Sequence, residues 1–176
     1  HGIAAVDDTV FTGNLTSSNV SIIRTSPPPA AQVATVSTAD GGVGPTFMVP
    51  CGTDVWYAKR GSSGSMRYIN PTTSVASAIA NSVSDAHMAG ADQVYLYVLN
   101  INGRSMSIFD CTARTLIQSI TLSAPADWGN YLAFSSYRAF VTSINGYLAI
   151  IQTTAATSPG APTGLTPTAG NAQVSL

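Results

Sequence analysis

Two kinds of short strand alternate along this chain at a nearly fixed interval, and that interval restricts the fold more than any other feature. A strand mixing β-branched or small residues with aromatics occurs at Thr9-Val10-Phe11-Thr12, Asp54-Val55-Trp56-Tyr57, Gln93-Val94-Tyr95-Leu96-Tyr97-Val98 and Arg138-Ala139-Phe140-Val141. Each is followed by a second strand, an apolar pair and then a polar residue: Ile22-Ile23-Arg24-Thr25, Tyr68-Ile69-Asn70-Pro71, Ile108-Phe109-Asp110-Cys111 and Ile150-Ile151-Gln152-Thr153. Between Ile22, Tyr68, Ile108 and Ile150 the spacings are 46, 40 and 42 residues. The segments joining the two strands are rich in Gly, Asn and Ser, as tight hairpins require.

A third strand follows in three units, at Gln32–Val36, Ser74–Ile79 and Leu116–Leu122. After a loop with Gly, Pro or Asp, a fourth short strand at Pro45–Val49, Ala86–Ala89 and Gly129–Phe134 precedes the next unit. Four strands in a little over 40 residues make one β-propeller blade. The expected fold is therefore all-β, with about four four-stranded blades over residues 1–155, forming an incomplete or larger propeller. The competing arrangement is a β-sandwich, because short alternating strands suit both folds.

Composition agrees with an all-β chain. Charged residues are 9%, against about 25% in soluble domains. There is one lysine, Lys59, no glutamate, and eight aspartates, while Ser and Thr together number 41. Long surface helices draw on the residues that are scarce here. Seven scattered basic residues cannot build the positive stripe that phosphate neutralisation needs, which argues against nucleic acid as a partner. The 45% hydrophobic content suffices for a core, and no apolar run approaches a membrane span. The start of the chain lacks a basic region followed by an apolar stretch, so the expectation is a processed leader or a start inside a longer protein.

The stretch QVYLYVLNINGRSMSIFDCTARTLIQSITLSAPADWGNYLAFSS resembles the YVTN type of β-propeller repeat, which runs as a V-Y-V-T-N strand, a turn, a strand ending in V-I-D, a T-x-x-V hairpin and an I-x-V-G-x-x-P exit. Residues 93–134 match well and 54–92 more loosely, while the first unit departs through Pro27-Pro28-Pro29 in its outer hairpin. After a linker at 156–160, residues 161–176 resemble the opening strands of a fibronectin type III module, with a P-x-x-P-x-x-L-like run and then Val174-Ser175-Leu176. These resemblances imply a surface-layer-like, extracellular or cell-surface protein.

Several residues are candidates for chemistry. His1 and His87 have the residue types of a copper histidine brace, in which a terminal amine and two imidazoles supply three nitrogens. Both also fall at equivalent inter-blade places, ahead of Val10 and Val94, where the repeat accounts for them as connecting residues. The boundary aspartates Asp7, Asp8, Asp40, Asp54, Asp85, Asp92 and Asp127 read chiefly as turn formers, since Asp at a turn bonds to its own backbone. A hydrolytic carboxylate pair is the alternative reading, and no D-x-D-x-D-G calcium run is present. Most aromatics, Tyr131 and Tyr137 among them, are expected to pack between blades. Trp128 differs, because it lies in the loop Pro125–Asn130, where an indole flanked by Asp127 and Asn130 suits a carbohydrate ring or a partner.

Asn14-Leu-Thr16 and Asn19-Val-Ser21 fit the N-glycosylation pattern. Cys51 and Cys111 form either one disulfide or two buried thiols. No nucleophile elbow, P-loop or dinucleotide fingerprint occurs. The expected function is a non-enzymatic structural or adhesive module without a cofactor, with protein partners or identical subunits meeting open blade edges. The alternative class is a secreted polysaccharide-active enzyme, copper-dependent or hydrolytic. The fourth unit has no outer strand before the linker, so the ring is expected to be completed by further blades or by other copies.

Overall fold

The computed structural model describes residues 2–14, 16–37, 43–60, 66–79, 83, 86–92, 94–100, 104–122, 129–135, 138–143 and 146–152. Every regular element among them is a strand. The first sheet comprises β1 (Ile3–Val6), β2 (Thr9–Asn14), β3 (Asn19–Arg24) and β4 (Ala31–Ser37). The second comprises β5 (Val43–Cys51), β6 (Asp54–Arg60), β7 (Met66–Asn70) and β8 (Val75–Ala78). The third holds β9 (Ala86–Ala91), β10 (Tyr95–Asn100), β11 (Ser105–Asp110) and β12 (Thr115–Thr121), and the fourth holds β13 (Gly129–Ser135), β14 (Arg138–Ser143) and β15 (Leu148–Gln152). In each sheet the strands lie in chain order and pair antiparallel with their sequence neighbours.

The sheets stand face against face, with β5 touching β1 and β9, and β9 touching β13. This is a β-propeller arrangement of blades, and four stacked meanders exclude a two-sheet sandwich.

Strand pairing explains the interval seen in the sequence. Phe11 pairs with Ile22, Trp56 with Tyr68, Tyr97 with Ile108, and Phe140 with Ile150. Because side chains alternate across a strand, each of these pairs projects toward the following sheet, and the next residue pair projects toward the preceding one. The first seam is filled by Phe11, Val20 and Ile22 against Val55, Tyr57 and Ile69. Trp56, Ala58 and Met66 meet Leu96, Val98 and Phe109 in the second. Tyr97, Met106 and Ile108 meet Ala139 and Val141 in the third. The third seam also brings Phe134 onto Tyr97, with ring centroids 4.8 Å apart, in space left open because Gly90 has no side chain.

The origin of the repeat differs from the expectation. The strands at Pro45–Val49, Ala86–Ala89 and Gly129–Phe134, expected to close one unit, instead open the next sheet as parts of β5, β9 and β13. An additional strand, β1, likewise precedes Thr9 and gives the first sheet its own four strands. Short turns at Asp7-Asp8 and Gly52-Thr53 join these first strands to their partners, so they fold back locally. A period reports the length of a unit but not where a sheet begins. The fourth sheet has three strands among the described residues, and the linker and the fibronectin-like segment lie outside them.

Two local devices recur with the blades. At the β7–β8 turn, the amides of Thr72 and Thr73 donate to Asn70 Oδ1, and at the β11–β12 turn those of Thr112 and Ala113 donate to Asp110 Oδ1. Both turns end on a left-handed residue, Ser74 at φ 55° and Arg114 at φ 57°. At the opposite end of the blades, Asn100 Nδ2 donates to Ser105 and Ser107, while Asn14 Nδ2 donates to Asn19 Oδ1 and Ser21 Oγ. These amides tie the second strand of a blade to its third, beyond the backbone ladder.

Candidate functional site: a clasped seam between two open sheet faces

The seam between the second and third sheets is held by more than apolar packing. Cys51 ends β5 and Cys111 follows β11, and they form a disulfide with Cα atoms 5.6 Å apart. The chain turns beside it through Gly52 at φ 61°, where an added Cβ would lie 3.4 Å from the Cβ of Cys111. Of the two options left open by the sequence, the structure therefore has the disulfide. Closing a loop of this length, 60 residues in separation, removes denatured-state entropy worth about 4 kcal/mol in the chain-entropy model.

Three residues beyond Cys111, Arg114 reaches back across the same seam. Its Nε donates to Asp54 Oδ2 at 2.7 Å, and its guanidinium carbon lies 4.4 Å above the Tyr68 ring. The hydrogen bond to Asp54 is the largest influence holding the Arg114 pKa above its ordinary value, with burial opposing it. The Asp54 side chain is fully buried, while Arg114 keeps contact with solvent. Asp54 was expected to serve as a turn former, but it acts as a cross-blade anion instead. Its partner is 60 residues away in the chain, so no local pattern announces the pair. Beneath this clasp, Trp56 lies 6.0 Å from Tyr68 and 5.9 Å from Phe109, measured between ring centroids.

The first seam contains a polar group of a different kind. Tyr57 is fully buried among Phe11, Ile22 and Ile69, and its hydroxyl has no hydrogen-bond partner among the described residues. Burial pushes its pKa far above the usual phenol value, so the ring stays neutral.

The other sequence candidates are dispersed. His87 lies half-buried in β9, a first strand rather than a connecting loop, and its would-be brace partner His1 lies outside the described residues. Asp127 and Trp128 also lie outside them, and Asn130 is described only as part of the backbone of β13. Asp92 acts as a turn former, accepting from the amides of Val94 and Tyr95, and it also accepts from the Tyr97 hydroxyl at 2.8 Å. Asp7 occupies the β1–β2 turn at φ 51°, and Asp40 and Asp85 lie outside the described residues. No three metal-ligating side chains converge among the described residues. Asn14 spends its amide on the hydrogen bonds to Asn19 and Ser21 described above. Tyr137 lies outside the described residues.

The open ends follow the expectation of an unfinished ring, but the sequence did not identify the residues on the two end faces. Tyr131, expected between blades, is instead 63% exposed, on the face of the fourth sheet that turns away from the third. Beside it stand Leu148 and Ile150, the latter 58% exposed, with Phe140 half-buried. At the other end, the outward face of the first sheet carries Ile3, 69% exposed, with Val10 and Ile23 half-buried. Phe140 and Ile150 occupy the positions that bury Phe11 and Ile22 in the first seam, so the exposed residues have the side-chain chemistry of a seam.

Comparison with known proteins supports the architecture alone. No family model matches the chain, and no curated protein matches it. Among solved structures, the computationally designed Ika4 protein is similar with a TM-score of 0.68 and 9% identity, over 86% of this chain and 89% of that one. The designed Ika8 protein gives a TM-score of 0.67 and 9% identity, over 85% of this chain and 44% of that one. Apo AztD from Citrobacter koseri gives 0.66 and 14%, over 88% of this chain and 44% of that one. The chain thus matches less than half the length of Ika8 and of AztD, and most of Ika4.

Proposed function

We propose that this chain is a non-enzymatic structural or adhesive β-propeller module of an extracellular or cell-surface protein. The observation that carries the reading is the pair of uncovered apolar faces at the two ends of a covalently clasped stack. Exposed contiguous apolar surface marks sites of protein association, and here it lies on preformed sheets that need no rearrangement to bind. The disulfide supports an oxidising compartment, where such bonds persist. With 9% charged residues and a formal net charge of −1, the chain presents little long-range repulsion to a partner.

The YVTN-type assignment belongs to this proposal and draws support from two positions. The motif asparagine corresponds to Asn100, which binds Ser105 and Ser107, and the motif aspartate corresponds to Asp110, which organises the β11–β12 turn. Both residues serve the blade itself, as a repeat under structural constraint requires. The fibronectin-like assignment of 161–176 and the carbohydrate-facing role of Trp128 rest on the sequence and are proposed on that basis.

The test is to incubate the purified chain with insoluble polysaccharides, with and without copper and a reductant, and separately to measure its retention on those polysaccharides and on intact producing cells. Retention on cells without soluble oligosaccharide release is expected. Release of oxidised or hydrolysed oligosaccharides at a rate above that of the heat-unfolded chain would overturn the reading in favour of the enzyme.

A further inference from the structure

We propose that the two end faces bind each other between two copies of this chain, so that the fourth sheet of each copy packs on the first sheet of the other and eight sheets close into one ring. The inference rests on the structural-module reading above and names the partner that its open faces take.

The first argument is positional. Within the chain, each seam places the Phe11, Trp56 or Tyr97 face of one sheet against the next sheet's opposite face, carrying Val55, Leu96 or Ala139. Phe140 continues the first series and Val10 belongs to the second, as their registers with Ile150 and Ile23 show. The end faces are thus the two halves of a seam of the same kind as the three already formed. A second copy brings the first-sheet face to the fourth-sheet face in the orientation used inside the chain, so the new contact continues an existing interface rather than inventing one.

The second argument is the number of sheets. The stack is similar to Ika4 over most of both chains, which shows that four sheets of this kind form a unit, and to Ika8 and AztD over 85% and 88% of this chain while matching 44% of each of those chains. The arrangement of sheets is therefore similar to one found in chains that have about as much again to add. The contact is head-to-tail, and such contacts form either closed rings or open filaments according to whether the rotation closes. A second copy supplies about the length of chain by which Ika8 and AztD exceed this stack.

The third argument is electrostatic. The end rows are Tyr131, Leu148 and Ile150 on one side and Ile3, Val10 and Ile23 on the other. With a formal net charge of −1 per chain, two copies approach with little repulsion.

The experiment is sedimentation velocity and light scattering of the full 176-residue chain with its disulfide intact, over a dilution series. A discrete species of twice the chain mass that does not grow on concentration is expected. Ile150→Asp and Ile3→Asp, both at exposed positions, should each weaken self-association at least about a hundredfold, since a carboxylate buried without a partner opposes packing. Mixing the two variants leaves one intact pair of faces, so a heterodimer should form where neither variant dimerises alone. Circular dichroism and a non-reducing mass confirm that each variant is folded and clasped. A monomer at every concentration, a polymer that grows without limit, or a dimer indifferent to both substitutions would each overturn the proposal. Loss of cell retention with the dimer intact would instead count against the adhesive reading, so the two failures are distinguishable.

Discussion

Phe140 faces Ile150 across the β14–β15 ladder in the same register that sets Phe11 against Ile22 across β2–β3. Ile22 is 1% exposed and Ile150 is 58% exposed. The chain therefore contains one pairing repeated in two environments, covered by the next sheet in one case and open in the other. Truncating the buried aromatic should expose the cost of the seam. Phe11→Ala is expected to lower unfolding free energy by about 3–5 kcal/mol, the usual range for removing a buried phenylalanine. Ile150→Ala, at concentrations where the chain is monomeric, should cost well under half of that. Urea titrations of both variants provide the comparison.

The clasp should divide into a covalent and an ionic contribution. Cys51→Ser together with Cys111→Ser is expected to lower stability by about 4 kcal/mol, because the long loop regains its freedom in the denatured chain. Thermal unfolding of the oxidised chain with and without reductant gives the same comparison without mutation.

Arg114→Ala leaves Asp54 as a buried carboxylate without its cation, and should cost up to about 3 kcal/mol. Solvent contact at Arg114 makes the pair weaker than a fully buried one. Adding Asp54→Asn to Arg114→Ala should recover part of the loss, since the uncompensated charge is then gone. A double-mutant cycle by chemical denaturation measures the coupling.

Tyr57 gives the chain a pH dependence of definite sign. Its folded pKa lies above the unfolded value of about 10, so the neutral ring favours folding fully below that pH. As pH rises above about 10, the unfolded chain ionises this phenol while the folded chain resists, and stability falls. Tyr57→Phe should remove that part of the alkaline loss and be neutral or slightly stabilising at pH 7, because the hydroxyl has no partner among the described residues. Melting curves at neutral and alkaline pH for both proteins check the prediction.

Gly90 offers a steric test of the third seam. A methyl group at this position collides with the Phe134 ring that stacks on Tyr97. Gly90→Ala is expected to destabilise by about 1–3 kcal/mol, the range for overpacking a filled site. Phe134→Leu in the same chain should relieve part of the collision, and the recovery would appear in the melting temperature of the double variant.

The sequence by itself determined the strands other than β1, the hairpins and the repeat length, because these depend on residues close together in the chain. Alternation of apolar and polar side chains specifies a strand face, a Gly/Asn/Ser run specifies a turn, and the recurrence of Ile22, Tyr68, Ile108 and Ile150 marks one register position in every sheet. The tertiary structure alone decided where each sheet begins, that Cys51 and Cys111 are joined, that Asp54 takes Arg114 as its partner, and that Tyr131 and Ile150 are uncovered. The physical reason is range. Strand patterning is written in neighbours, whereas an ion pair or disulfide bridging 60 residues, and the covering of one sheet by the next, arise only when distant segments share space.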